Sequence, residues 1–216
     1  MNETLKLPLL DAAQIRVLGS LIEKSKTTPD YYPMTLNGLL NACNQKSSRK
    51  PVVNYDEATV VSALNGLKIT GLSATVTGGS IRNIKYKHNL AVAYPLLPPE
   101  TTVLCLLFLR GALTPGEINS NSGRMYEFES LEEVNEILQK LSSEGYIKLL
   151  AKRPGQKEQR YMHLFSGDVE DMDFDEDIVI HNSSDPNALE DRLNKAETEL
   201  AELKERFEAL LKELGV

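Results

Sequence analysis

The residues able to do acid–base, nucleophilic or metal chemistry are few and scattered. Histidines stand at His88, His163 and His181, and neither Cys43 nor Cys105 has a ligand partner at metal spacing. No zinc site is expected from that pattern. Both cysteines fall among apolar neighbours in helical stretches, which predicts buried, inert thiols rather than nucleophiles. A Gly-x-x-x-x-Gly-Lys phosphate loop is absent, and Gly78-Gly79 alone reads as a turn. Residues 168–177, DVEDMDFDED, hold seven carboxylates, without the fixed spacing and central glycine of a calcium loop. The expectation is a non-enzyme with no catalytic residue, no metal and no cofactor.

The remaining chemistry is basic. Lys46, Arg49 and Lys50 cluster in one connector, Arg82, Lys85 and Lys87 line one hairpin, and Lys152, Arg153, Lys157 and Arg160 line another. Cations on hairpins and connectors supply phosphate contacts, which give a nucleic-acid complex its affinity and register. Lys46, Arg49, Lys50, Arg82, Lys85, Lys152, Arg153, Lys157 and Arg160 are therefore the candidate nucleic-acid contacts. Asn44, Gln45, Ser47 and Ser48 stand beside the first cluster as further hydrogen-bonding groups.

Total charge speaks against this at first sight: 24 Lys+Arg against 31 Asp+Glu give −7. The acidity is local. Residues 1–95 carry 11 bases and 6 acids, residues 96–167 carry 8 and 9, and residues 168–216 carry 5 and 16. A whole-chain charge says little about what each part binds. No apolar run reaches the length of a membrane span, and the first residues, MNETLKLPLLDAAQ, lack the basic start and apolar core of a secretion signal. Two cysteines make no disulfide framework. A cytoplasmic protein without membrane contact is expected.

The elements that must position the cations form a degenerate repeat. In the first copy, Asp11 and Gln14 look like a capping pair ahead of Ile15, Leu18, Leu21 and Ile22, which share one helical face. The second copy opens at Pro98-Pro99, followed by Val103, Leu106, Leu107 and Arg110. A second helix follows in each, TLNGLLNACNQ capped by Thr35 and the short TPGEINSNSG. Third helices carry Val60, Val61, Leu64 and Leu67 before Gly71, and Leu131, Val134, Leu138 and Leu141 before Gly145. Each copy ends in a hairpin, around Gly78-Gly79 and Pro154-Gly155. Pro29 to Gly71 is 42 positions and Pro115 to Gly145 is 30, so 12 extra residues are assigned to the connector NQKSSRKPVVNY.

Three helices followed by a hairpin is the order of a winged helix, whose third helix reads a major groove and whose hairpin is the wing. The fold class expected is mostly α with small β-hairpins (α+β): winged-helix domains at 8–95 and 96–167, an acidic linker at 168–184 and a C-terminal coiled-coil helix at 185–215. In the last, Leu189, Leu193, Ala196, Leu200, Leu203, Phe207, Leu210 and Leu214 recur at alternating spacings of 4 and 3, a heptad seam. Leu189, Leu193, Leu200, Leu203, Phe207, Leu210 and Leu214 are the candidate dimerisation residues. The seam either pairs two chains as a homodimer or folds back on its own chain.

The third helices weaken the nucleic-acid case for the second copy. The outward positions of the first, Glu57, Thr59, Ser62, Asn65 and Lys68, are close to neutral. Glu129, Glu132, Glu133, Glu136 and Glu144 surround the other, and that surface repels phosphate.

Longer strings go beyond pattern. TTPDYYPMTLNGLLNACNQKSSRKPV (27–52), LLFLRGALTPGEI (106–118), RMYEF (124–128) and RYMHLFSG (160–167) together resemble the YceH-like family of uncharacterised bacterial proteins, over nearly all of residues 10–170. The resemblance implies a tandem winged-helix fold in a bacterial cytoplasmic protein, and carries over no catalytic residue. Within those strings, Asn41, Asn44 and Gln45 read bases or bond the connector backbone. Arg124, beside Tyr126 and Glu127, clamps its own chain or contacts a phosphate. Two functions fit: a DNA-binding, regulatory dimer acting through the basic connector and wings, or a protein–protein interaction scaffold that uses the same fold without DNA.

Overall fold

Asp11 starts the first helix, α1 (Ala12–Thr27), with a capping box: its carboxylate accepts from the Gln14 N–H at 2.8 Å, and the Gln14 amide oxygen accepts from the Asp11 N–H at 3.0 Å. The computed structural model describes residues 6–77, 84–151 and 158–167. After α1 a short 3-10 turn, Pro29–Tyr31, leads to strand β1 (Met34–Thr35) and helix α2 (Leu36–Cys43), whose N-cap is Thr35. A long connector reaches α3 (Glu57–Ile69), capped by Asp56. Strands β2 (Ser73–Val76) and β3 (Lys85–His88) and the single turn α4 (Leu90–Ala93) complete the first half.

The second half repeats the order. Helix α5 (Pro98–Arg110) begins on two prolines, which suit a first turn whose N–H groups have no intrahelical partner. Helix α6 (Pro115–Ser122), helix α7 (Leu131–Ser143) and strands β4 (Ile147–Leu149) and β5 (Tyr161–His163) follow. Among the described residues the fold is thus seven helices and two small antiparallel sheets.

The sheets show how closely the halves correspond. The first has the order β1-β3-β2, with Met34 opposite Tyr86 and Thr35 opposite Lys85. In the second half β4 pairs with β5, and a single bridge, Leu113 opposite Tyr161, stands where β1 would be. Leu113 directly precedes Thr114, the N-cap of α6, as Met34 precedes Thr35. The equivalent of Thr114 is therefore Thr35 and not Thr28, which lies before the 3-10 turn. Thr35 to Gly71 spans 36 positions and Thr114 to Gly145 spans 31. The connector thus holds only 5 of the 12 residues that the sequence pattern assigned to it; the others precede α2. Gly71 and Gly145 end the third helices at φ 75° and 82°, a left-handed position that glycine takes without strain.

One apolar core runs through both halves. Its seam is the crossing of α1 and α5, and Leu18, Leu21 and Ile22 of the one and Leu104, Leu107 and Phe108 of the other are all buried. Gly19 permits that approach. A Cβ built there would lie 2.9 Å from Leu109 Cδ2 and 3.0 Å from Phe108 Cβ. The described residues all fall within one compact unit, residues 1–179. None of the described helices is long and apolar enough to cross a membrane. The expected turns at Gly78-Gly79 and Pro154-Gly155, the linker 168–184, His181 and the helix 185–215 with its seam lie outside the described residues.

One histidine takes a core position, and the other, His88 at the end of β3, is half-buried. His163 is 2% exposed, with its ring 5.0 Å from that of Phe108. His88 Nε2 meets the Ser25 hydroxyl at 3.3 Å. Nδ1 of each ring has no partner among the described residues. Burial lowers both pKa values to about 4, with the charges of Lys26 and Lys87 adding to the effect at His88. Cys43 and Cys105 are buried, and burial pushes both thiols up.

Two predictions follow from this packing. Gly19→Val should destabilise the protein by about 2 kcal/mol through over-packing, read as a lower urea midpoint; an unchanged midpoint would show that α1 and α5 have room. Because an unfolded histidine titrates near 6.5, the unfolded chain takes up protons first as pH falls. Stability should be complete above pH 6.5 and decline between 6.5 and about 4. The double variant His88→Gln/His163→Phe should flatten that decline, and an equally steep profile would contradict the assignment.

Candidate nucleic-acid interface

The connector from Asn44 to Tyr55 is a built structure. Its start and end are tied by Asn44, whose Nδ2 donates to the Tyr55 carbonyl and whose Oδ1 accepts from the Tyr55 N–H, both at 2.8 Å. Of the two roles open to Asn44 in the sequence, this is the backbone role. Gln45 does not bond backbone; its Oε1 accepts from Lys24 and Arg49.

Beneath the connector, α2 ends with carbonyls that no helical N–H can reach. Two guanidinium groups take them. Arg16, from α1, donates to Cys43 O at 3.4 Å and to Pro51 O at 2.6 Å. Arg49 donates to Ala42 O from Nε and Nη2, at 3.2 and 3.0 Å, and to Ser48 O from Nη1 at 2.9 Å. It also forms a bidentate pair with Glu23 of α1, at 3.1 and 2.7 Å. Cations at a helix C-terminus also complement its dipole. Burial opposes ionisation of Glu23, but the hydrogen bonds and charges of Arg49 and Lys24 more than offset it and hold the carboxyl below its usual range. Burial and the nearby charge of Arg49 lower the pKa of Arg16.

Arg49 was expected to contact phosphate. Its side chain is 0% exposed and every N–H is engaged, so it supports the connector from inside. Arg160 is also engaged: Nη1 and Nη2 grip the Glu117 carboxylate at 2.8 and 3.2 Å, and Nη1 also meets Ala112 O at 3.0 Å. That clamp ties β5 to the N-terminus of α6, where Glu117 also closes a capping box with Thr114.

What remains outward is a subset of the expected cations. Lys46 and Lys50 are exposed, as are Ser47 and Ser48 between them, and Lys85 is half-buried in β3 beside exposed Lys87. Arg82, Lys152, Arg153 and Lys157 lie outside the described residues. The backbone N–H of Lys50 donates to Leu109 O at 2.8 Å, so the connector is also fixed to the end of α5. On α3 the exposed polar side chains are Glu57, Ser62, Asn65 and Lys68, with Thr59 half-buried and apolar Ile69 exposed at its end. On α7 Glu132 and Glu136 are exposed, with Glu129 and Glu144 exposed at its two ends, alongside Leu131, Gln139, Ser143 and the paired Lys140. Glu133 is turned inward, accepting from Tyr126 Oη and from the Glu129 N–H. No group of three or more His, Cys, Asp or Glu among the described residues could hold a metal ion.

Removing the carboxylate charge beneath the connector should be costly. Glu23→Gln leaves Arg49 buried with no anion and should destabilise the fold by about 3 kcal/mol. A thermal melt reads this directly. A variant as stable as the parent would show that the pair does not hold the connector.

Comparison with known proteins agrees with the strings noted in the sequence. A family model described as "Protein of unknown function, DUF480" matches residues 10–156. The UPF0502 protein of Solibacter usitatus is 45% identical over 199 residues, covering 92% of this chain and 95% of the relative. The UPF0502 protein YceH of Escherichia fergusonii is 41% identical over 215 residues, covering 95% and 98%, and that of Salmonella arizonae is 40% identical over 213 residues, again 95% and 98%. Similar from end to end to these bacterial proteins, the chain belongs to the UPF0502 family, that of YceH.

Proposed function

We propose that the chain is a tandem winged-helix protein that binds nucleic-acid backbone through the α2–α3 connector and the wing of its first half, in a regulatory rather than a catalytic role. The strand order β1-β3-β2, with β1 immediately before the second helix, supports the winged-helix reading of the first half. The Leu113–Tyr161 bridge supports it for the second. The observation that carries the functional reading is the connector itself. Arg16, Glu23, Asn44 and Arg49 fix it from beneath, and Lys46 and Lys50 face solvent above with two serine hydroxyls between them. A rigid loop presents its cations without losing much conformational entropy on binding. The contact set then becomes Lys46, Lys50 and Lys85, with Asn65 and Lys68 on the neighbouring helix. Arg82, Lys152, Arg153 and Lys157 stay with the proposal as wing residues.

A second reading, a protein-interaction scaffold, draws on the acidic outward face of α7. Binding of random duplex DNA by the full chain across a salt series separates the two. Contact with several phosphates predicts a log–log slope of about −0.9 per phosphate. Lys46→Gln/Lys50→Gln should make it shallower by about two such contacts. Absence of binding at low salt would exclude the nucleic-acid reading and leave the scaffold.

A further inference from the structure

A second basic feature lies where the two halves meet, beside the connector and beyond the wings. The ends of α1 and α5 and the turn after α6 line a small open cleft of about 100 Å³, smaller than the sites that enclose whole drug-sized ligands. Lys24 reaches it from α1, Arg110 from α5 and Arg124 from the turn, while Ser47 and Ser48 line it from the connector. Leu109 and Met125 give it an apolar wall.

Two of the three cations in this cleft are not spent locally. Among the described residues neither Arg110 nor Arg124 makes a hydrogen bond or ion pair. The usual structural employment for such arginines is to cap nearby helix carbonyls. Here those carbonyls are already taken: Leu109 O accepts from the Lys50 N–H, Leu107 O from the Gly111 N–H, and Ser122 O from the N–H groups of Met125 and Tyr126. The one carboxylate on the lining, Glu23, is neutralised from beneath by Arg49. Lys24 lies 3.1 Å from Glu23 and 3.3 Å from the Gln45 oxygen, so its ammonium is held at the rim. Three cations therefore converge on one cleft with a single, already paired anion. Guanidinium pairs of this kind match the geometry of phosphate oxygens.

We propose that this cleft is a phosphate-binding site shared by both halves, in which Arg110 and Arg124 grip the phosphate, Lys24 adds a third cation, and Ser47 and Ser48 donate hydrogen bonds. The phosphate comes from a free nucleotide or from a nucleic-acid backbone crossing between the halves. The site does not require the connector reading, because a free phosphate ester fills it with no nucleic acid present.

The test uses the full-length protein with three probes at constant ionic strength: inorganic phosphate, adenosine monophosphate and a random DNA duplex. The variants are Arg110→Gln, Arg124→Gln and Arg124→Lys, with exposed Lys6→Gln as a control outside the cleft and outside the connector contacts. Thermal melts of each establish that the fold is retained. The expected result is at least a tenfold loss of affinity for one or more probes in both Gln variants, partial recovery in Arg124→Lys, and no change in the control. Loss for phosphate or the mononucleotide identifies a free ligand. Loss for the duplex alone identifies a backbone phosphate. If no probe binds, or if both Gln variants bind every probe as the parent does, the site is overturned. Duplex binding that survives both Gln variants, with no binding of the free probes, overturns the cleft and leaves the connector interface standing.

Discussion

Everything on the connector side of this molecule depends on one buried ion pair. Arg49 and Glu23 meet at the C-terminal end of α2, with the guanidinium fully enclosed. Taking such a charge out of water costs several kcal/mol, and only good geometry with every donor satisfied compensates. Here both conditions hold, because the carboxylate takes two donors and the carbonyls of Ala42 and Ser48 and the oxygen of Gln45 take the others. Arg16 completes the arrangement by bonding Cys43 O and Pro51 O. The same bonds that terminate α2 thus set the path of the next dozen residues. Replacement of the pair by apolar side chains could fill the volume but could not satisfy those carbonyls.

A second constraint joins the halves. α1 and α5 are the first helices of the two copies, and they pack on each other along buried faces. The connector of the first half then hydrogen-bonds the end of α5 through the Lys50 N–H. Two repeats related in sequence are thereby held together at equivalent helices and again at a loop that only one of them has lengthened. Phe165 closes the far side, with Tyr94 of the first half and Tyr146 and Phe108 of the second arranged about it edge-on or stacked. Its backbone carbonyl also accepts from the Leu10 N–H at 2.7 Å, so the start of the first half is tied to the end of the second.

Much of this architecture was legible because it is periodic. Leu18, Leu21, Val60, Leu64, Leu67, Val134, Leu138 and Leu141 all announced buried helical faces, and all are buried. The Asp11–Gln14 capping pair and the Thr35 cap were readable from residue type and spacing. The fate of Arg49 was not. In the string KSSRK nothing local distinguishes the buried arginine from the exposed lysines on either side, since its partner Glu23 lies 26 residues away. Arg160 was hidden likewise, with Glu117 at a separation of 43. In the string RYMHLFSG nothing local marked His163 as buried. The register of the repeat was misjudged because Thr28-Pro29 and Thr114-Pro115 share a dipeptide but not a place. One precedes a 3-10 turn and the other caps a helix, and only the strand pairing of Met34 and Leu113 distinguishes them.

Charge partition by sequence and by structure answer different questions. Counting residues makes the first half basic and the second nearly neutral, and pairing leaves those sums untouched. It does decide which charges reach solvent. Arg49 cancels Glu23 in the first half, and Arg160 and Lys140 cancel Glu117 and Glu100 in the second. Lys46, Lys50, Lys68 and Lys87 then remain outward on the first half, while the exposed charges of α7 other than the paired Lys140 are carboxylates. Two second-half cations, Arg110 and Arg124, line a cleft whose other wall belongs to the first half. A polyanion approaching the described surface meets attraction at the connector and repulsion at α7. The halves share a fold order and a core, but they turn differently charged surfaces outward.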